Sequence, residues 1–384
     1  MNIVGREIAF EPARFVVAVI SLLSIQVAAL GMIGFYRGLV KESLSLIDEI
    51  GTDLWVVQGQ HIGPFADWSI VPATLDRRVE GVRGVRTARR FLQFAMLTEI
   101  HRTRYRLGIV GVDYPKDRGS WIPLVAGRQF NTGHFETIAD EATGLVVGET
   151  LRLGHDDYTV VGISRGQVDL SGDPIVFMTL PDAIKVANSM PSEAVVLARA
   201  ASKVRGTVLP PVQTNAVMIT LGEGADADEV RSRISAWPDV TVVKTDQQRE
   251  WVLNDMLGPL RRQIISFTAM MLAVAGTIIG LSAYVGVLQK IQFIALIKMM
   301  GASDFYVVMY VLGQSLSVLL NSFGGAIAVS LMIFPYFPRT VLLNWDDAIA
   351  FFLIVVCVVL AASMIGVRKA LGARRRDIMY QVLT

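Results

Sequence analysis

Four apolar blocks constrain this chain more than any other feature, because of how they are spaced. One stands near the N-terminus, at residues 15–36. About 225 mostly polar residues follow. Three more blocks then come in quick succession, at 264–288, 305–334 and 348–367. Each block holds 20 or more residues without an acidic or basic side chain. About 20 apolar residues cross a hydrocarbon core of roughly 30 Å, and the buried helices of soluble proteins rarely need such lengths. The hydrophobic share of 52% is concentrated in these blocks. The first exceeds the apolar region of a signal peptide, about 7–15 residues, and no A-x-A cleavage site follows it. A retained membrane helix is therefore expected.

Orientation follows from Lys and Arg in the short flanks. Arg6 and Arg14 precede the first block, and Lys290 and Lys298 separate the second from the third. Arg368, Lys369, Arg374, Arg375 and Arg376 follow the fourth. The loop between the third and fourth has only Arg339, beside Asp346 and Asp347. The three basic flanks belong on the cytoplasmic side, with both termini inside. The expected division is a cytoplasmic N-terminal segment (1–14), membrane helix 1 (15–36) and an extracytoplasmic α+β domain with stalk helices at both ends (37–261). Membrane helix 2 (262–288), a short cytoplasmic helix (289–304), membrane helix 3 (305–334) and an external loop (335–347) come next. Membrane helix 4 (348–367) and a basic cytoplasmic tail (368–384) complete it. The fold class is thus membrane α-helical, one span plus three, with an inserted α+β domain on a helical stalk. The single cysteine, Cys357, lies in the fourth block, so the inserted domain has no disulfide and depends on its own core.

The inserted domain opens and closes on helix-like periodicity. Leu39, Ser43, Leu46 and Ile50 recur at helical spacing after the first block; Leu253, Met256, Leu257, Leu260 and Ile264 do so before the second. Either these are stalk helices or they mark an ordinary junction of helix and domain. Gly258-Pro259 is expected to kink the second one. Between them, β-rich runs alternate with turn signals. The expected strands are 53–58, 91–99, 105–111, 144–147, 158–163, 175–178, 194–197, 216–221 and 240–244. Residues 74–80 and 226–237 read as helices. The run 217–221, helix, 240–243 reads as a compact βαβ-like unit, and the domain as α+β, in one lobe or two.

Few motifs carry chemistry. Gly162-Ile163-Ser164-Arg165-Gly166 matches G-x-S-x-G, but the serine of a nucleophile elbow opens a helix, whereas Asp169, Gly172 and Asp173-Pro174 read as turns. All four histidines (His61, His101, His134 and His155) precede Ser164, the reverse of the hydrolase order. No G-x-x-x-x-G-K-[ST] loop occurs, and no histidine spacing indicates a metal. Nine arginines crowd residues 77–106. They read as solvated faces of a helix and a hairpin, with a face for anionic lipid or a partner protein as the alternative. Inside the blocks, Gln26, Gln314 and Asn321 are the notable polar residues, able to bond between helices or merely tolerated. Gly276-x-x-x-Gly280 and Gly324-Gly325 allow close helix approach. Spans so poor in ionisable groups do not offer an ion- or proton-coupled path, and four spans are few for a complete path in one protomer. A homodimer is expected.

The cytoplasmic segment 290–300 has no helix breaker. Ile291, Ile294, Ala295 and Ile297 form an apolar side, Lys290, Gln292 and Lys298 a solvent side, and Gly301 the C-cap. Its run from Ile294 through Leu296, Ile297, Lys298, Met299, Met300, Gly301 and Ala302 to Ser303 resembles the R-E-I-A-L-L-K-A-L-G-A-S loop of MacB/FtsX-type ABC transporter permeases, departing from it at Gln292-Phe293. Residues 126–130 (A-G-R-Q-F), 146–149 (V-V-G-E) and 158–163 (Y-T-V-V-G-I) resemble further elements of that family, nearest its DevC-like branch. The resemblance spans the whole chain through layout and short motifs. Lys369-Ala370-Leu371-Gly372-Ala373 echoes Lys298-Met299-Met300-Gly301-Ala302, either as a second ATPase contact or as a coincidence of two basic membrane exits.

The resemblance implies a bacterial inner-membrane permease working by mechanotransmission. A separate cytoplasmic ABC ATPase dimer, which binds the ATP and Mg, would grip Lys290, Gln292, Ile294, Ala295, Ile297, Lys298, Gly301 and Ala302 in each of two copies of the chain. The chain itself would hold no cofactor and catalyse no reaction. Its output would be export or extraction of a hydrophobic or amphipathic substrate on the periplasmic side. Membrane lipids, and in the DevC-like branch a periplasmic adaptor and an outer-membrane channel, would be further partners, and nucleic acid would not. A sensory receptor relaying through a separate cytoplasmic partner is the main alternative. A membrane-anchored enzyme is a weaker one, for want of a catalytic constellation.

Overall fold

The computed structural model describes residues 12–65, 69–189, 213–289, 304–337 and 339–383. It separates into two compact units, one of residues 1–39 with 260–384 and one of residues 40–259.

The first unit is a helical bundle. Helix α1 spans Pro12–Ile50 and ends at Gly51, whose φ of +60° no β-branched residue would adopt cheaply. Helices α6 (Gly258–Gln289), α7 (Asp304–Ile333) and α8 (Trp345–Leu383) supply the rest. All four contain a segment long and apolar enough to cross a membrane. Their shared core takes Leu22, Ala29 and Leu30 from α1, Ala275 and Ile279 from α6, Leu319 and Ala326 from α7, and Phe351, Val355 and Val359 from α8. Small residues set the spacing. A Cβ on Gly276 would lie 3.1 Å from Val358, and one on Gly280 would lie 3.2 Å from the Ala362 carbonyl, so α6 and α8 approach closely. Gly325 faces Leu23 of α1 in the same way, at 2.6 Å, whereas its neighbour Gly324 faces open space. Only one glycine of that pair therefore permits packing. Helix α7 stops before Pro335 in a short 3₁₀ turn, Phe334–Tyr336. Helix α8 starts with Asp346 and Asp347 in its first turn, where the helix dipole favours anions.

The second unit is built on one ten-stranded mixed sheet. Its strands are β1 (Leu54–Gln58), β3 (Val85–Ile100), β4 (Thr103–Val112), β5 (Leu124–Gly127), β6 (Glu136–Asp140), β7 (Thr150–Leu153), β8 (Asp156–Ser164), β9 (Ile175–Thr179), β11 (Ala216–Leu221) and β12 (Val240–Lys244). β2 (Val71–Pro72) and β10 (Gln213–Thr214) pair separately. The order is β12-β1-β11-β3-β4-β9-β6-β8-β5, with β7 on β8. β3 is the spine. Its first half pairs with β11, from Leu221 opposite Val85 to Ala216 opposite Phe91, and its second half pairs with β4, from Leu92 opposite Gly111 to Ile100 opposite Thr103. Each half carries its own core. One gathers Leu54, Val56, Val217 and Val242 under helices α2 (Leu75–Glu80) and α4 (Ala227–Ser235). The other gathers Leu107, Tyr158, Val176 and Met178 under helix α3 (Leu180–Ser189). The choice between one lobe and two, open in the sequence, resolves as two cores on one sheet. The βαβ-like unit is split, because β1 lies antiparallel between β11 and β12.

Several expectations need correction. Residues 144–147 are not a strand. Gly144 and Gly148 hold left-handed φ values of +72° and +91°, so the segment between them is a loop with Val146 and Val147 exposed. The strands in this region are β5, β6 and β7 instead. Pro259 does not kink a continuous helix. Helix α5 (Thr245–Trp251) passes into a π-helical turn, Val252–Met256, and α6 begins at Gly258. Pro259 then stands in the first turn of α6, where its missing N–H costs nothing. The strand expected at 194–197 lies outside the described residues.

Candidate functional site

The residues expected to meet an ATPase, Lys290, Gln292, Ile294, Ala295, Ile297, Lys298, Gly301 and Ala302, all lie outside the described residues. The echo at 369–373 lies within α8, which runs on to Leu383, so Gly372 does not end a helix there as Gly301 was expected to do.

In the bundle interior, Ser363 donates to Ser315 at 2.7 Å and joins α8 to α7. Sequence reasoning passed over both serines. Asn321 donates to the Ser317 carbonyl of its own helix at 2.8 Å, so it does not bridge helices. Gln26 is buried, and its amide has no partner among the described residues.

Two recesses lie at the end of the bundle from which the chain leaves for the inserted unit. One is a cleft of about 450 Å³ between α1, the start of α6 and the end of α7. Val27, Gly31 and Phe35 line it from α1, and Ile264 and Phe267 from α6; Gln263 is its one polar side chain. Phe334, Phe337 and Val341 close it. The same three residues wall a second recess of about 500 Å³, which adds Ser330, Arg339 and Thr340.

The loop that builds both recesses is clamped to α1. Leu342 donates its N–H to the Gly34 carbonyl at 3.0 Å. Arg37 makes a bidentate pair with Asp347, both bonds 2.7 Å. Gly34 and Gly38 are buried against Val341 and Thr340, and a Cβ on Gly38 would overlap the Thr340 carbonyl oxygen. Glycine is required there for close approach, which the helical periodicity of this segment does not reveal.

In the inserted unit, Ser164 is fully buried at the end of β8, and bends rather than a helix follow it. Its hydroxyl lies 3.4 Å from Asp140, whose carboxylate also accepts from the N–H groups of Ala142 and Gln167 at 3.0 and 2.8 Å. Burial raises the Asp140 pKa despite those bonds. The G-x-S-x-G sequence is a turn support and not a nucleophile elbow. Among the described residues no three potential ligands gather for a metal. His134 and His101 pair with Asp182 and Glu149 at 2.9 and 2.5 Å.

The arginine-rich stretch keeps the expected solvated faces at seven of its nine positions, and only Arg89 and Arg90 are drawn inward. Arg90 grips the buried Asp113 with its guanidinium, at 2.6 Å, and with its own backbone N–H. Arg89 pairs with the buried Asp117 at 2.5 Å. Arg78 pairs with Asp239 and lies 3.8 Å over the Trp237 ring, and Arg106 pairs with Asp173 at 3.2 Å. Arg77, Arg86, Arg102 and Arg104 are exposed.

Residues 17–237 match the MacB-like periplasmic core domain, and the chain belongs to that family. An ABC transporter permease of Mycobacterium tuberculosis is 23% identical over 368 residues, 95% of this chain and 95% of the relative. One of Mycobacterium bovis is 23% identical over 373 residues, 96% of this chain and 95% of its own. Among solved structures, the periplasmic region of MacB from Actinobacillus actinomycetemcomitans aligns with a TM-score of 0.35 at 9% identity, over 53% of this chain and 94% of that one. The extracellular domain of the transporter YknZ from Gram-positive bacteria aligns with a TM-score of 0.34 at 12% identity, over 50% and 100%. The protein is an ABC transporter permease of the MacB-like type, a membrane α-helical chain with an inserted α+β domain.

Proposed function

We propose that this permease works by mechanotransmission. A separate cytoplasmic ABC ATPase dimer hydrolyses ATP, two copies of the chain receive the movement, and the inserted domain delivers it to a hydrophobic or amphipathic substrate on the extracytoplasmic side. Both termini and the segment 289–304 face the cytoplasm of a bacterial inner membrane, as the basic flanks require. One observation carries the reading: the MacB-like domain is inserted between the first and second of four apolar helices, in a chain that aligns along 95% of its length with permeases of ABC transporters. The energy enters at Lys290, Gln292, Ile294, Ala295, Ile297, Lys298, Gly301 and Ala302, the segment between α6 and α7. A periplasmic adaptor and an outer-membrane channel extend the path as further partners.

The test is substitution in that segment. With the partner ATPase, Ala295→Asp or Ile297→Asp places a carboxylate on the apolar side of the docking helix. ATP hydrolysis then continues while ATP-driven substrate movement falls to background, and the inserted domain stays folded. Unchanged transport in both variants refutes the assignment of the segment.

A further inference from the structure

We infer that Glu49, the last residue but one of α1, is a proton-binding site: its carboxyl group holds a proton, donates a hydrogen bond to the side-chain carbonyl of Gln167, and so fastens the end of α1 to the turn after β8. Both residues lie in the unit of residues 40–259. The fastening is strong at acid pH and weakens as the pH rises. The G-x-S-x-G turn, which is no nucleophile elbow, thereby gains a role: it carries Gln167 to α1.

Three observations converge. The Gln167 side chain lies within hydrogen-bonding reach of Glu49. Gln167 is 1% exposed, yet its Oε1 has no partner among the described residues. Glu49 Oε2 is likewise buried without one. An ionised carboxylate only accepts, and so does an amide oxygen. With Glu49 charged, both buried oxygens go unpaired, which is costly away from water. A protonated carboxyl carries one O–H, so a single proton on Oε2 satisfies both. The amide turned over would offer its N–H to an ionised carboxylate instead. Burial opposes that charge, and Asp48 beside it adds to the effect. Together they outweigh the pull of the amide and hold the Glu49 carboxyl above the usual carboxylate range.

The charges around Glu49 are engaged with other groups. On α1, Asp48 pairs with Arg249 of α5 at 2.5 Å, and Glu42 stands two turns back. From β3, Arg89 pairs with Asp117 at 2.5 Å and donates to the Ile50 carbonyl at 3.4 Å. Its Nε has no partner, and no ion pair joins it to Glu49 among the described residues. On the turn, Arg165 pairs with Glu141 at 2.9 Å, and the backbone N–H of Gln167 donates to the buried Asp140 at 2.8 Å. Ile47 and Ile50 are buried, whereas Glu49 is only partly so, and a proton can reach it from solvent. Folded Glu49 keeps its proton above the unfolded carboxylate pKa of about 4.3. Its contribution is therefore complete below that pH and lost as the pH rises through the folded value. The inference does not depend on what the protein transports.

The experiment uses the full chain in nanodiscs without the ATPase. Backbone hydrogen exchange is followed by mass spectrometry across a pH series from about 5 to about 8, with labelling times scaled to cancel the intrinsic pH dependence of exchange. The peptides read are those covering residues 44–50 and 164–168, with β9 as the control. Protection of the first two should fall as the pH rises, about tenfold for each pH unit between the unfolded and folded pKa values, and that of β9 should not. Glu49→Gln, which keeps the shape and a donor but cannot ionise, should hold the low-pH protection throughout. Gln167→Leu, which removes the acceptor, should show the weaker protection at every pH. Protection of residues 44–50 that ignores pH in the unaltered chain overturns the proposal. So does a Gln167→Leu chain that keeps the stronger protection. A pH response that survives Glu49→Gln and disappears in Asp140→Asn assigns the proton to Asp140 and overturns it too.

Discussion

Gly38 offers a sharp test of how the bundle is clamped. It is a helical glycine in α1, and a methyl group there would land on the Thr340 carbonyl oxygen. That neighbour is backbone, so no rotamer change relieves the overlap. The loop is also held from both sides, by Leu342 on the Gly34 carbonyl and by Arg37 on Asp347. Alanine in a helix is favoured over glycine by about 1 kcal/mol, while overpacking costs about 1–3 kcal/mol. Gly38→Ala should therefore lose up to about 2 kcal/mol net. Gly324→Ala is the control. Nothing lies within 4 Å of its Cβ position, so the same exchange should be neutral or gain up to about 1 kcal/mol. Gly34→Ala falls between, because its nearest neighbour at 2.7 Å is the Val341 side chain, which can turn. The assay is the temperature at which half of the full-length protein leaves the monodisperse peak in detergent, at one heating rate, since such unfolding reads a rate as well as an equilibrium. Each kcal/mol moves a midpoint by about 2–4 °C in a protein of moderate size. The order Gly38→Ala below Gly34→Ala below Gly324→Ala is expected. If Gly38→Ala equals or exceeds Gly324→Ala, the close approach of the loop to α1 is wrong.

Two further predictions concern the inserted unit. Trp55 is fully buried and meets Phe65 and Phe91 edge-on at 5.2 and 5.4 Å, so Trp55→Ala should cost about 3–5 kcal/mol, read as protease sensitivity of residues 40–259 at a temperature where the unaltered chain resists. Glu136 has a lowered pKa: burial alone would raise it, but the Arg128 guanidinium and the N–H groups of Asn131 and Thr132 outweigh that. The stability it contributes is therefore present above the unfolded carboxylate pKa of about 4.3 and lost as pH falls through its folded value. Glu136→Gln should lower stability at neutral pH and flatten the acid side of the stability curve; an unchanged acid limb would refute this.

The membrane helices were legible because hydropathy is a property of consecutive residues. The sheet was legible in parts. Strands such as β11 and β12 declare themselves by β-branched runs, but β3 meets β11 across more than 100 residues of sequence, and nothing local announces that register. β6 was missed because Glu136 and Asp140 look like loop residues at either end of a short run. Both are buried in the fold, Glu136 held by Arg128 and Asp140 by backbone N–H groups. Within the arginine-rich stretch, Arg89 and Arg90 escaped notice for the same reason. Arg90 sits on a strand that the sequence read as beginning at Phe91, and its partner Asp113 follows β4, 23 positions on. Charge density along a chain says how many ions must be accommodated; topology decides which of them find partners.

The recesses in the bundle were less legible still, and for a different reason. Four separate segments build them: residues 27–35, 260–267, 330–337 and 339–343. None of the first three announces a recess by itself: 27–35 is apolar helix, 260–267 continues an amphipathic pattern through Arg261 and Arg262, and 330–337 ends an apolar helix at Pro335. The fourth stood out only as the one basic residue, Arg339, on a flank otherwise acidic, and that fact was used for topology and not for chemistry. Ser330 carries the signal that sequence cannot supply. A serine in an apolar helix is ordinarily content with its own backbone, and only the fold reveals that the Ser330 hydroxyl is buried with no hydrogen-bond partner among the described residues.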